Sequence, residues 1–191
     1  GKRKLEADFD PIESALKKGG SVLIYVPKSH IYSKQIYGQF QKYISMCQPI
    51  DDPIAIKMID ELKDYIGAST TDKLFYNSDM LEKLRCGIVV HHGSMPLTAR
   101  LILEHFTQQG FCKICFATST LEQGINMPFD VVYLDRFEES KTLSVKNLIG
   151  RAGRSTAKPI FDFGSVILRP NAMSRFRKVY QKKNILSSKS R

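Results

Sequence analysis

The chain has 191 residues, which suits one domain with a sizeable core, and no apolar run approaches the roughly 18–20 residues of a membrane span. The basic start lacks the apolar segment of a signal peptide, so we expect an intracellular protein with no membrane partner. Of the net charge of +10, eight basic residues lie beyond Asp162, where there is no acid, which leaves 21 basic against 19 acidic residues elsewhere. That basic end fits a nucleic-acid backbone contact and a solvated tail equally well.

The first predicted element is a helix that Asp10 caps and that ends at Gly19-Gly20. Residues 22–26 are continuously apolar, as in a strand buried on both faces of a parallel sheet. Residues 27–29 are predicted to form a loop at the carboxyl end of that strand, the edge that carries ligands in open α/β sheets. One helix is predicted over 30–46. Because its apolar residues recur at helical spacing, its aromatic rings are expected in the core rather than stacked on bases: Ile31, Tyr32, Ile36, Phe40, Tyr43 and Ile44.

Helices and strands alternate along the rest of the chain. Further helices are predicted at 51–66, near 78–84, at 96–110 and at 171–180, and further strands at 87–91, 111–117, 131–134 and 164–168. Residues 135–142 are polar and are expected to form a hairpin or a projecting loop. The alternation with short connections predicts a mostly parallel sheet covered by helices on both faces.

The cysteines and histidines give no convincing metal site. Cys112 and Cys115 have CxxC spacing but fall in the predicted strand, where residues three apart face opposite ways, so buried reduced thiols are expected. His91 is expected in the core. His92, beside Gly93 at the end of a strand, is better placed for a nucleic-acid backbone. Adjacent strand residues point apart, which makes the histidine pair a poor zinc site.

Residues 147–154 contain two arginines three residues apart among glycines, in the sequence Asn-Leu-Ile-Gly-Arg-Ala-Gly-Arg. On a helix Arg151 and Arg154 share a face, and Gly150 lets a ligand or a facing backbone come close. Paired guanidinium groups suit the charge that develops on a phosphate during phosphoryl transfer. Taken alone, the pair would equally suit a solvated or nucleic-acid-facing basic turn.

Four ordered segments are similar to motifs of the superkiller-type (Ski-like) group of superfamily-2 helicases. Residues 117–128 (ATSTLEQGINMP) resemble motif V, residues 147–154 resemble motif VI, residues 90–95 resemble the H-H-x-G-L element, and residues 21–29 resemble motif IV. Two departures are Asn147, where the family usually has Gln, and Ser94-Met95. The resemblance implies a RecA-like, three-layer α/β domain over residues 1–170, with a helical insertion at about 48–85, then a closing helix and basic tail over 171–191.

The resemblance also implies roles for single residues. Arg151 and Arg154 would be the catalytic fingers on the γ-phosphate of ATP. Further ATP contacts fall on Gly124, Asn126, Asn147 and Gly150, and nucleic-acid backbone contacts on Lys28, Ser29, His92, Gly93, Thr118 and Ser119. From spacing alone, a helix N-cap is nearly as good a role for Thr118.

The chain contains neither a G-x-x-x-x-G-K-[ST] phosphate loop nor a D-E-x-[DH] metal box. ATP and Mg²⁺ are therefore expected to be held mainly by a first RecA-like lobe outside this chain, and the isolated chain is expected to hydrolyse ATP negligibly. The predicted function is the second motor lobe of an ATP-dependent helicase or translocase acting on DNA or RNA. The alternatives are a non-catalytic RecA-like module for nucleic-acid binding or protein docking, and a flavodoxin-like nucleotide enzyme, for which residues 27–29 are not the required glycine-rich loop.

Overall fold

A computed structural model describes residues 10–68, 78–91, 95–118, 129–135 and 165–168. Within these ranges five strands form one sheet: β1 (Val22–Tyr25), β2 (Ile88–His91), β3 (Ile114–Ala117), β4 (Val131–Leu134) and β5 (Ser165–Leu168). The order across the sheet is β2-β3-β1-β4-β5, and every pairing is parallel. The predicted parallel α/β architecture is confirmed.

Seven helices accompany this sheet in the described ranges: α1 (Pro11–Lys17), α2 (Lys28–Tyr32), α3 (Gln35–Gln39), α4 (Gln41–Ile44), α5 (Pro53–Ala68), α6 (Ser78–Arg85) and α7 (Leu97–Gln108). Helix α1 contacts β1 and β4, whereas α6 and α7 contact β2 and α5 packs on both of them. All residues of β2 and β3 are buried, as expected where helices cover both faces of a parallel sheet. Among the described helices, none is long and apolar enough to cross a membrane.

The helix predicted over 30–46 is wrong as a single helix, because the segment is divided into α2, α3 and α4. Lys34 lies between the first two with a left-handed backbone (φ 59°), and Phe40 interrupts the second pair at φ −110°. Ile31 and Ile36 are five residues apart, a spacing that turns two side chains to different sides of one continuous helix. The left-handed backbone of Lys34 changes the direction of the chain between α2 and α3, so the side chains of both isoleucines reach the core.

Two predictions about residues of α2 are also wrong. The residues Lys28 and Ser29 form the first turn of α2 rather than a loop. Tyr32, predicted to be in the core, is 50% exposed, whereas the apolar residues that follow it at helical spacing are buried: Ile36, Phe40 and Ile44.

Several predicted boundaries and caps are confirmed. The Asp10 carboxylate caps α1 by accepting hydrogen bonds from the backbone N–H groups of Ile12 at 3.0 Å and Glu13 at 3.2 Å. Gly110 follows α7 in the left-handed conformation (φ 85°), which glycine adopts without steric cost. The predicted helix at 171–180 lies outside the described residues.

The buried free thiols predicted for Cys112 and Cys115 are confirmed, and Cys47 is a third buried free thiol, but the reason given for Cys112 and Cys115 is wrong. Strand β3 begins at Ile114, so Cys112 precedes it and is not held to the alternation of a strand. A hydrogen bond with Cys112, together with burial, raises the pKa of the Cys115 thiol. Burial likewise raises the pKa of Cys47 to about 11, which keeps this thiol protonated and unreactive at neutral pH.

Candidate nucleic-acid interface

The carboxyl ends of the strands are level with one another. Tyr25 pairs with Ala117 and with Leu134, and His91 pairs with Ala117. The ladder continues one residue further, since the N–H of Thr118 donates to the His91 carbonyl at 3.2 Å and the N–H of Asp135 donates to that of Tyr25 at 3.0 Å. The residues that follow β1, β3 and β4 are therefore gathered at one edge of the sheet, which we call the carboxyl edge.

The three predicted nucleic-acid contacts that the structure describes all lie at this carboxyl edge. Lys28 and Ser29 begin α2, three residues beyond the end of β1, and both are exposed. Pro27, not Ser29, is the N-cap residue of α2, so the serine has no capping role there. Thr118 follows the adjacent strand β3 and is buried, at 4% exposure. The sheet thus brings residues from the motif IV and motif V segments, 90 positions apart in sequence, to neighbouring strand ends.

The other predicted site residues lie outside the described residues, so their assignments stay predictions: His92, Gly93, Ser119, Gly124, Asn126, Asn147, Gly150, Arg151 and Arg154. His91, expected in the core, is fully buried at the end of β2.

Sequence reasoning missed a polar cluster at the carboxyl edge. The Asp135 side chain, only 2% exposed, accepts a hydrogen bond from Gln39 Nε2 at 3.1 Å, and its Oδ2 lies 3.6 Å from His30 Nδ1. The sequence places Asp135 in a predicted polar hairpin or projecting loop, residues 135–142. The signal that would have identified it is its position directly after a buried strand, at the edge where ligands bind. The cluster ties β4 to α2 and α3, and therefore orients the helix that carries Lys28.

Lys28 and Tyr32 lie one helical turn apart on α2. The ammonium group of Lys28 is 5.4 Å from the centroid of the Tyr32 ring, within the range of a cation–π contact. Residues 28–35 contain no acidic residue. The exposed part of α2 therefore presents positive charge and an aromatic face next to the carboxyl edge.

Within the part of the chain that the structure describes, no group of three or more His, Cys, Asp or Glu side chains is arranged to hold a metal ion. In these ranges His30 has one carboxylate, that of Asp135, beside it, which is too few ligands for a metal site. The exposed side chains described at this edge, Lys28 and Ser29, are a cation and a hydroxyl group, which suit phosphate oxygens.

The structure is thus a parallel α/β domain with cationic and hydroxyl side chains at its carboxyl edge. Residues 53–156, more than half of the chain, match the family described as "Helicase conserved C-terminal domain". The chain belongs to this family, and the prediction of a helicase C-terminal domain is confirmed.

Curated relatives agree with the superkiller-type resemblance. The chain is 25% identical over 164 residues to ATP-dependent DNA helicase Hel308 of Caldivirga maquilingensis, covering 80% of this chain and 20% of that protein. It is 34% identical over 97 residues to Superkiller complex protein 2 of Mus musculus, covering 47% of this chain and 8% of that protein. It is also 34% identical over 91 residues to DExH-box ATP-dependent RNA helicase DExH13 of Arabidopsis thaliana, covering 42% and 4%. The chain thus spans a fifth or less of the length of each relative.

Proposed function

We propose that the chain is the part of an ATP-dependent helicase or translocase, acting inside the cell, that closes over ATP held by a separate first lobe and grips the nucleic-acid backbone at its carboxyl edge. The lobe would comprise residues 1–170, with residues 171–191 as a closing helix and basic tail. The observation that carries the proposal is the level carboxyl edge, where Lys28, Ser29 and Thr118 follow neighbouring strands.

Backbone gripping follows from the chemistry of these side chains. Lys28 supplies a cation for a phosphate, and the hydroxyl groups of Ser29 and Thr118 supply hydrogen-bond donors. We assign to the same surface the three predicted contacts that follow β2 and β3, namely His92, Gly93 and Ser119. Backbone contacts of this kind carry no base information, which is consistent with relatives named as DNA helicases and as RNA helicases.

The nucleotide side is assigned to the motif V and motif VI segments. Arg151 and Arg154 stabilise the charge that develops on the γ-phosphate, with Gly124, Asn126, Asn147 and Gly150 as further contacts to the nucleotide. Bound Mg²⁺, held by the first lobe, would neutralise charge on the phosphates. Binding of ATP between the lobes then changes the grip of each lobe on the strand, and hydrolysis resets it.

Replacing one finger tests the proposal most directly. In the protein that carries both lobes, Arg154→Ala is expected to lower the rate of ATP hydrolysis by about 10³-fold or more, the contribution of an arginine finger, while affinity for a single-stranded oligonucleotide changes little. Arg154→Lys keeps the charge but not the planar fork and is expected to restore little activity. Initial rates of phosphate release and oligonucleotide anisotropy provide the two readouts.

The matched control is Lys57→Ala, which removes an exposed cation from α5 and should leave both readouts unchanged. Unchanged ATP hydrolysis in Arg154→Ala would refute the finger assignment and favour a non-catalytic binding or docking module. Robust hydrolysis by purified residues 1–191 alone would refute the requirement for a first lobe.

A further inference from the structure

The exposed ring of Tyr32 has a position that core packing does not explain. Of the apolar residues between 31 and 44 with helical spacing, Ile31, Ile36, Phe40 and Ile44 are at most 6% exposed, whereas Tyr32 is 50% exposed. A single exposed aromatic residue is ordinary on a protein surface. Tyr32 is informative because a second feature coincides with it.

That second feature is the lysine one helical turn earlier. Lys28 Nζ lies 5.4 Å from the ring centroid of Tyr32, so a cation and an aromatic face are presented together. Proteins that bind single-stranded nucleic acid combine these two groups, because the cation follows the phosphates and the ring stacks on a base. Segment 28–35 contains no acidic residue, and the carboxylate of Asp79 beside it is paired with Lys34.

The position of α2 completes the argument. The helix begins three residues beyond the end of β1, at the carboxyl edge, and the cluster of Asp135 with His30 and Gln39 ties it to the end of β4. A nucleic acid that follows the carboxyl edge would therefore meet α2, the helix that presents the ring of Tyr32.

We propose that Tyr32 is a stacking platform for an unpaired base of a single-stranded nucleic acid, with Lys28 on the adjacent phosphate. The inference rests on the proposed function, because it assumes that the strand follows the carboxyl edge. Stacking on an aromatic ring tolerates any base, so this contact adds affinity for unpaired nucleotides without sequence specificity.

The test compares two fluorescently labelled strands of about 12 nucleotides, a length within the usual site sizes. One is oligothymidine, and the other has the same sugar–phosphate backbone without bases. Tyr32→Ala is expected to weaken binding of the base-containing strand by about 5- to 10-fold, as for the loss of one stacked base, and to leave the abasic strand unaffected. Tyr32→Phe keeps the ring and should bind both strands like the wild type.

Two further variants separate stacking from charge and from general surface effects. Lys28→Ala should weaken binding of both strands and lower the slope of log affinity against log salt by about one unit. Ile54→Ala removes an apolar side chain that is 58% exposed on α5 and should change neither affinity.

The sequence also provides a direct optical readout. The chain contains no tryptophan, so Tyr32→Trp introduces a single one. Its emission should be quenched by the base-containing strand and not by the abasic strand.

Equal binding of oligothymidine by Tyr32→Ala and the wild type would overturn the stacking proposal and leave the proposed function intact. Equal loss of affinity for both strands, or a loss in Tyr32→Phe as large as in Tyr32→Ala, would also overturn it. If the wild type binds neither strand, the backbone grip in the proposed function fails, and the stacking contact fails with it.

Discussion

Two buried aspartates, one at each end of β4, show how differently the two edges of the sheet are built. At the amino end, Asp130 Oδ2 accepts a hydrogen bond from the backbone N–H of Ser21 at 2.8 Å, and the Asp130 N–H donates to the Ser21 carbonyl at 2.9 Å. At the carboxyl end, Asp135 contacts the side chains of Gln39 and His30. The Asp130 carboxylate holds the start of β4 against the backbone at Ser21. The Asp135 carboxylate instead orients α2 and α3, and α2 carries candidate binding residues.

The close packing at the amino edge explains its glycines. A Cβ on Gly20 would lie 2.7 Å from Asp130 Oδ2 and 3.0 Å from the Ala15 carbonyl oxygen. No side chain fits between α1 and the start of β4 at this point. The comparison therefore predicts that changes at the amino edge alter stability, and that changes at the carboxyl edge alter nucleic-acid binding.

The largest effect is expected for Gly87→Ala at the amino edge. Gly87 has φ +77°, and its added Cβ would lie 2.7 Å from the Phe111 carbonyl oxygen. Left-handed backbone and the backbone clash together should lower the free energy of unfolding by about 3 kcal/mol. Urea denaturation, with an unchanged dependence on urea concentration, measures the loss. Oligonucleotide affinity of the folded protein should not change.

Gly110→Ala is the matched control for that change, because Gly110 also has positive φ (+85°) but open space around it. It should lower the free energy of unfolding by about 1 kcal/mol, the backbone strain alone. Equal losses in the two variants would contradict the steric explanation at Gly87.

An intermediate effect is expected when the two aspartates receive the same substitution. Asp130→Asn keeps an oxygen that can accept from the Ser21 N–H and should leave oligonucleotide affinity unchanged. Asp135→Asn keeps an acceptor for Gln39 but removes the carboxylate charge 3.6 Å from His30 Nδ1, which should cost about 1 kcal/mol of stability or less. If the whole of this lost stability appears as lost binding free energy, the affinity for the oligonucleotide falls by at most about fivefold.

The direction of the affinity change in Asp135→Asn is informative. Removal of a negative charge near phosphates would by itself strengthen binding, so weaker binding identifies orientation of α2 as the dominant role of Asp135. Stronger binding in Asp135→Asn, or an equal weakening in Asp130→Asn, would contradict the difference between the two edges.

The smallest change in the free energy of unfolding is expected for Asp10, whose carboxylate caps α1. Burial raises its pKa, but hydrogen bonds from the Tyr43 hydroxyl, the Glu13 N–H and Lys42 outweigh this, and the pKa lies below the ordinary 3.8. A lowered carboxyl pKa adds stability that is complete above pH 3.8 and is lost as the pH falls through the lower folded value. The free energy of unfolding should therefore decrease below about pH 4.

Asp10→Asn keeps a good N-cap residue without the charge. This variant should lose about 1 kcal/mol or less at pH 7 and should show a shallower decrease in acid than the wild type. Urea denaturation at several pH values measures both. An identical acid dependence in the two proteins would show that Asp10 does not contribute to it.

The sequence predicted the strands well because their signal is local. Continuous apolar runs such as residues 22–25 and 131–134 are the mark of strands buried on both faces, and the motif segments after them located the carboxyl edge. The helix over 30–46 could not be predicted correctly, because the left-handed Lys34 has no glycine or asparagine to mark it. That residue adopts this conformation because the core holds Ile31 and Ile36 on either side of it.

The sequence by itself determined the family, the parallel α/β class and the candidate residues on motif segments, since each depends on short patterns of neighbouring residues. The tertiary structure decided which distant side chains meet. Asp135 is close to His30 and Gln39 because β4 pairs beside β1, and Lys28 and Thr118 follow neighbouring strand ends because β3 pairs on the other side. Strand order is set by packing of the whole sheet, and no local pattern in the sequence records it.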